Sequence, residues 1–375
     1  MTSLYLHIPF CSRKCCYCSF HSGAHPESLQ IRYGQAINRE IEQTAVANGQ
    51  PRLDTLFIGG GTPSVLPAQV LGSILATCRK AFSWCDEAEV SIEVNPETVL
   101  GELLQNLRCH GVNRLSMGVQ SLNDGELNLL GRTHTAAQGR EALVRARQAG
   151  FTNINIDLMY GIPGQTVQSW RDTLLRALDM DLEHLSLYQL SVEEGTTFAD
   201  LLKKGELELP DEEAILEMDE IANQESGMAG YHRYEISNYA KPGKFCRHNL
   251  VYWHNEPYVA CGAAAVSYTA GNRCLRQPDP ALYSDWLESG LSPLIECEHL
   301  PVEQAFRETM VMGLRLTAGV SRQRLQGRFG CGVQDIYGNR LDRLISSGLL
   351  CFDGERYFLS ERGRLLANVV MADLV

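Results

Sequence analysis

Long apolar runs are missing from this chain. Nothing in its 375 residues approaches the roughly eighteen consecutive apolar positions that a membrane-spanning helix needs. Its first residues lack the basic stretch followed by an apolar one that marks a secretory signal, so the expected location is the cytoplasm. Positive charge is also short. Lys and Arg number 33 against 45 Asp and Glu, a formal net charge of −12. That balance argues against a general binder of nucleic acid or of anionic membranes, although a local basic patch is compatible with it. Low-complexity segments are absent, as are internal repeats other than an alternation of strand-like and helix-like stretches. What remains is an ordinary composition, 44% hydrophobic and 21% charged, on a chain too long for one core to keep growing. One large domain with a smaller one is the expectation.

Cysteine, by contrast, is plentiful. Thirteen cysteines without a signal peptide point to a reducing compartment and metal chemistry, not to a disulfide scaffold. Three of them organise the N-terminus: an apolar run from Ser3 leads into Cys11-Ser-Arg-Lys-Cys15-Cys-Tyr-Cys18, spaced C-x3-C-x2-C. Cubane iron–sulfur clusters are held by thiolates from such loops, normally four of them. Three ligands leave one iron open to a ligand from outside the chain. A zinc site is the competing reading, with His7 or His21 as fourth ligand, because zinc closes a tetrahedron. Cys16 does not easily join its neighbours, since adjacent residues point apart.

Six β-like runs punctuate the first half: Ser3–Ile8, Thr55–Ile58, Val90–Val94, Arg114–Val119, Asn153–Met159 and His184–Leu190. Helix-like stretches lie between them near 28–48, 67–82, 98–109, 136–149 and 166–179. This alternation predicts βαβ units, a parallel sheet and, with right-handed crossovers, part of a barrel. In β/α barrels the site lies at the C-terminal ends of the strands. The first strand ends in the cysteine loop and the second in Gly59-Gly60-Gly61-Thr62-Pro63, where backbone can approach a ligand closely. That turn has no G-K-[ST] ending, so a nucleoside triphosphate is not implied. Later strands contribute Glu93, Gln120 and Asp157, and Arg132 follows in Leu130-Gly-Arg-Thr-His134. Carboxylates and an amide suit ribose hydroxyls and an amino group; a guanidinium suits a carboxylate. Each residue taken singly is also explained by capping a strand or helix. Asn123-Asp-Gly-Glu126 reads as a helix N-cap, and His110 and His134 as ordinary loop or helix-end residues.

Beyond the sixth strand the pattern changes. A charged connection at 203–210 precedes a helical stretch at 211–229, then Phe245-Cys-Arg-His248-Asn-Leu-Val-Tyr-Trp253. His248 among Tyr252, Trp253 and Tyr258 suits either a heme axial ligand or a hydrogen-bonded loop histidine, and spacing alone favours the second. No C-x-x-C-H occurs, so covalent heme attachment of the cytochrome c type is unsupported. Small residues at 262–266 suit close packing. From Val302 onward, helical patterns at 303–317, 321–329 and 335–348 are followed by Leu349–Phe352, Tyr357–Leu359 and a final helix, a winged-helix-like order. That segment holds ten arginines, no lysine and eight acidic residues. Packing or a partner surface is favoured there, and no nucleic acid is expected.

Taken together, these residues resemble the oxygen-independent coproporphyrinogen oxidase-like radical S-adenosylmethionine (SAM) family, and within it the heme-chaperone branch. The likeness runs from Tyr5-Leu-His-Ile-Pro-Phe-Cys11 through Gly59–Pro63, Gly118-Val-Gln-Ser121 and Asp157–Pro163 to His248-Asn-Leu-Val-Tyr-Trp253. It implies a partial (β/α)6 barrel over 1–230, a heme-associated connection over 231–300, and a mainly helical, winged-helix-like domain over 301–375. It implies a [4Fe–4S] cluster on Cys11, Cys15 and Cys18, and SAM lined by Tyr5, Tyr17, Gly60, Gly61, Thr62, Glu93, Gln120, Arg132 and Asp157. In that superfamily, electron injection cleaves SAM to a 5′-deoxyadenosyl radical. His248 would take part in heme binding. The implied partners are heme, a heme-accepting protein such as a respiratory hemoprotein, with transient membrane-protein contact, and an external donor such as flavodoxin or ferredoxin. The alternative is oxidative decarboxylation of coproporphyrinogen III, or another radical reaction on a tetrapyrrole. Against the oxidase stand the start of the cysteine loop at residue 11 and Phe20, where the oxidases carry a further cysteine. Against strong heme binding stands Val266, where the family often has histidine.

Overall fold

Alternation within each strand decides the architecture. The computed structural model describes residues 2–375. Its first half runs β1 (Thr2–Ile8), α1 (Glu27–Ala47), β2 (Arg52–Gly60), α2 (Ala68–Ala81), β3 (Ser83–Val94), α3 (Gly101–Cys109), β4 (Arg114–Gln120), α4 (Asp124–Leu130), α5 (Ala136–Gln148), β5 (Ile154–Tyr160), α6 (Val167–Leu178) and β6 (His184–Gln189). The six strands pair in parallel and in chain order. Leu4, Leu6 and Ile8, Leu56 and Ile58, Val90 and Ile92, Leu115 and Met117, Ile154 and Ile156, and Leu185 and Leu187 all enter one apolar core with the helices. The residues between them face the other way, as the two-residue period of a strand requires. Apart from Phe57 on β2, they carry polar groups: Asn155 Nδ2 donates to Ser116 Oγ (2.7 Å) and Asp157 Oδ1 (2.8 Å), and Asn155 Oδ1 lies 2.7 Å from His184 Nδ1. A parallel sheet with an apolar outer face and a polar lumen is therefore already written in the strands.

The sheet does not end at residue 230, where the division was expected. After α7 (Thr197–Lys203) and α8 (Glu212–Met228), β7 (His232–Arg233) and β8 (Asn238–Ala240) extend it antiparallel beyond β6. Past α9 (Arg247–Trp253), β9 (Val259–Cys261) joins it parallel to β1, giving an open nine-stranded order β7-β8-β6-β5-β4-β3-β2-β1-β9. Next come β10 (Val266–Thr269), β11 (Asn272–Arg276), α10 (Pro280–Glu288) and β12 (Leu294–His299), with the three strands forming a separate antiparallel sheet. Cys274 and Cys297, opposite each other on β11 and β12, are joined as a disulfide; the other eleven cysteines are free, so the chain is not a disulfide scaffold. A buried ion pair, Arg276 Nε to Glu40 Oε1 at 2.5 Å, ties this sheet to α1, and Tyr283 Oη of α10 donates to the same carboxylate.

The C-terminal part comprises α11 (Val302–Gly313), β13 (Val320–Ser321), α12 (Arg322–Phe329), α13 (Val333–Tyr337), α14 (Arg340–Ser346), β14 (Leu350–Phe352), β15 (Arg356–Leu359), α15 (Glu361–Leu365) and α16 (Ala367–Leu374). It has an apolar core of its own, around Phe306, Met310, Leu341 and Val370, and a sheet ordered β13-β15-β14. The helix expected over 335–348 breaks at Gly338, whose φ of +53° and ψ of −120° lie outside helical space. Among the described residues, no helix is long and apolar enough to cross a membrane.

Candidate cofactor pocket at the strand ends

The cysteine loop is fixed by backbone bonds on both sides. Cys11 N donates to Gly23 O (2.9 Å) and Gly23 N to Pro9 O (3.1 Å), which closes the loop on its own base. Cys16 N donates to Leu130 O and Phe198 N to Cys16 O, both at 3.0 Å, so the ends of α4 and α7 hold its far side. Cys16 is thereby used as a backbone anchor. Cys11, Cys15 and Cys18 instead line a pocket of about 320 Å³ at the C-terminal ends of the strands.

Two donors already address the sulfurs. Thr62 Oγ1 donates to Cys11 Sγ (3.7 Å) and Arg132 Nη1 to Cys15 Sγ (3.4 Å). Among the described residues, no three His, Cys, Asp or Glu side chains are grouped to hold a single metal ion. A cubane attaches each thiolate to its own iron, so its ligands need not meet at one point. His7 is spent as a candidate zinc ligand: its Nδ1 lies 3.0 Å from Tyr5 Oη and its Nε2 3.0 Å from His21 O.

The expected residues largely converge. Tyr17, Gly60, Gly61, Thr62, Glu93, Gln120, Arg132 and Asp157 all line the pocket with the three cysteines. Gly60 has φ +110°, and a Cβ there would lie 2.5 Å from the His7 ring, so glycine is required on both counts. Gln120 adopts φ +69°, rare for a non-glycine residue, and its Oε1 accepts a 2.5 Å bond from Tyr188 Oη. Arg132 Nη2 donates to Asn95 Oδ1 and Gly118 O, both at 2.7 Å, while its buried Nε has no partner. Glu93 Oε2 accepts from Gly60 N at 3.1 Å. Burial first, then the nearby Asp157 carboxylate, raises Glu93 to about 8; burial likewise pushes Asp157 up. Two buried carboxylates that resist ionising are well matched to a cationic guest, and SAM carries both a sulfonium and an ammonium. The chain's residues thus fit a three-thiolate cluster and SAM.

Two expected residues lie elsewhere. Tyr5 is in the lumen below the pocket, with its hydroxyl on His7. His248 is completely buried on α9, with Nδ1 2.8 Å from Thr55 Oγ1 and Nε2 2.9 Å from Tyr252 Oη. Neither ring nitrogen is free for a heme iron, and burial followed by the nearby Arg114 charge lowers the ring to about 3. Asn95, Ser116, Gly118, Met159 and Tyr188 also line the pocket, and sequence reasoning missed them. A period-two reading of the strands would have found Ser116, Gly118 and Tyr188.

Fold and pocket define a class. A family model described as the radical SAM superfamily matches residues 5–177, and one described as the HemN C-terminal domain matches residues 300–366. Among solved structures, coproporphyrinogen III oxidase (HemN) from Escherichia coli superposes with a TM-score of 0.86 at 24% identity, covering all of this chain and 89% of that one. Among curated relatives, heme chaperone HemW of Bacillus subtilis is 38% identical over 99% of this chain and 98% of its own length. HemW of Lactococcus lactis is 34% identical over 98% and 96%. The chain belongs to the heme chaperone HemW family, within the oxygen-independent coproporphyrinogen oxidase-like radical SAM proteins.

Proposed function

We propose that the chain is a cytoplasmic heme carrier that holds a [4Fe–4S] cluster and SAM at the strand ends and passes heme to an acceptor protein. The observation that carries this reading is the likeness to proteins named heme chaperones over 99% of the chain, the α9 segment and C-terminal part included. Cys11, Cys15 and Cys18 supply thiolates to the cluster, with Thr62 and Arg132 donating to sulfur. Glu93 and Asp157 offer carboxylates to the cationic groups of SAM, and Gly60 and Gly61 let the β2 turn approach it. When bound, the cluster and SAM supply one-electron cleavage of a sulfonium, with electrons from an external flavodoxin or ferredoxin. Arg132 contributes to a SAM carboxylate through its unpartnered Nε, because its Nη2 is already committed. His248 serves heme indirectly, by fixing Tyr252.

The test is anaerobic reconstitution followed by iron and sulfide counting, hemin titration, and incubation of the reduced protein with SAM and coproporphyrinogen III. Expected are a three-cysteine-dependent cluster, hemin binding and no protoporphyrinogen. Protoporphyrinogen formation would replace the carrier with the oxidase.

A further inference from the structure

A second cavity, of about 810 Å³, lies between α9, the β10–β11 hairpin and α11. It shares no lining residue with the strand-end pocket. Its volume falls within the range of small-molecule and cofactor sites. Tyr252, Tyr258, Tyr268 and Met312 give it flat and polarisable walls, and Arg273 and Arg307 bring two guanidinium groups to it. Resting on the carrier reading, we propose that this cavity, and not the strand-end pocket, is where heme is held, with the heme carboxylates taken by Arg273 and Arg307.

Shape and charge both select a flat, apolar ring bearing a few carboxylates. Aromatic faces and a thioether suit a macrocycle. Guanidinium groups pair bidentately with carboxylates. Both arginines are now held by acids: Arg273 by Glu298 and Glu308, Arg307 by Glu303. These pairs are at least partly solvent-exposed, so exchanging one partner carboxylate for another costs little. Tyr252 and Met312 are of the side-chain types that ligate heme iron. Tyr252 is held by His248, whose ring stacks on Phe57 (5.3 Å between centroids), and Tyr258 packs edge-on against Tyr252 at 4.7 Å.

This gives the buried histidine of the H-N-L-x-Y-W run a positioning task. It also separates the two chemistries. A tetrapyrrole seated here lies behind His248, Thr55 and Phe57 instead of against SAM, which suits carriage without reaction.

Hemin titration of the full chain, read by Soret absorbance, tests the assignment. Val311 lines the cavity, and Val311→Trp fills it; hemin affinity should fall at least about tenfold, the effect of 1.4 kcal/mol, with iron content and SAM binding unchanged. A second comparison covers the case in which that variant folds poorly. Arg273→Gln with Arg307→Gln should weaken hemin but leave the dimethyl ester of hemin, which lacks the carboxylates, bound as by the parent. Unchanged hemin affinity in both variants would overturn the cavity assignment and leave the carrier reading standing. A parent protein that binds no hemin would end both.

Discussion

Gly61 has no room for a methyl group. A Cβ there would lie 2.6 Å from Phe10 O and 3.0 Å from Cys11 Sγ, and the first neighbour is backbone that cannot swing aside. Gly61→Ala should therefore displace the cysteine loop at a cost of about 1–3 kcal/mol and lower the iron retained after reconstitution severalfold; normal iron and sulfide content would contradict this. Glu93 supports a pH prediction. Its carboxyl is held up to about 8 against an ordinary 4.5, so folding favours the protonated form. The stabilisation is complete below the ordinary value and is lost as pH rises through about 8. Thermal melts of the cofactor-free protein should show stability falling across that window, and Glu93→Gln should flatten the fall. An equal slope in both proteins would mean that another group is responsible. Glu93 and Asp157 were legible because an acid in an otherwise apolar strand has few reasons to be there. His248 was misplaced for the converse reason. A side chain that bonds Thr55, 193 positions away in sequence, leaves no trace of that partner in its own neighbourhood.

At the level of elements, α9 is held by an acid on a distant strand. Glu89 of β3 accepts from Arg247 N (2.9 Å) and His248 N (3.1 Å), two of the amides that a helix start leaves without partners. The same carboxylate stands in for the missing side-chain cap at Cys246. Glu89→Ala should cost about 1–2 kcal/mol in urea denaturation, the usual worth of a lost cap. It should also loosen the Tyr252 wall, so that hemin affinity falls with stability; a loss confined to stability would uncouple the cap from the cavity. The long helices and six parallel strands could be read from the sequence because each repeats its period several times. β8 and β9 could not, because three residues are too few to show alternation. The parallel partner of β9 is β1, more than 250 residues upstream, and only tertiary structure reveals it.

Across the whole molecule, two apolar cores meet at a polar seam. Glu235 and Leu316 form an antiparallel bridge, Thr317 N donates to Tyr234 O at 3.0 Å, and Asn255 Nδ2 donates to Thr309 Oγ1 at 2.9 Å. Arg315 is the cation of this seam. Its Nη2 lies 3.5 Å from Glu235 Oε2, and its guanidinium sits 4.3 Å over the Trp253 ring. The Glu235 side chain is fully buried, and that burial raises its ionisation above the ordinary carboxylate range despite the opposing pull of Arg315. Arg315→Met keeps the packing volume but leaves an acid inside the seam without its cation. Breaking a buried pair from one side costs up to about 3–5 kcal/mol, and the partial exposure of Arg315 places the expectation nearer the lower figure. The sign follows from the raised ionisation. In acid both folded and unfolded Glu235 are protonated, and the variant loses only the stacking on Trp253. As pH rises past the ordinary glutamate value, the unfolded chain ionises first and the folded variant falls increasingly behind. Urea melts at about pH 4 and about pH 8 should thus show a small loss at the first and the full loss at the second. An equal loss at both would mean that the cation works through Trp253 and not through Glu235. Because Trp253 also lines the proposed heme cavity, the seam that joins the two cores and the wall that faces the cargo are one structure.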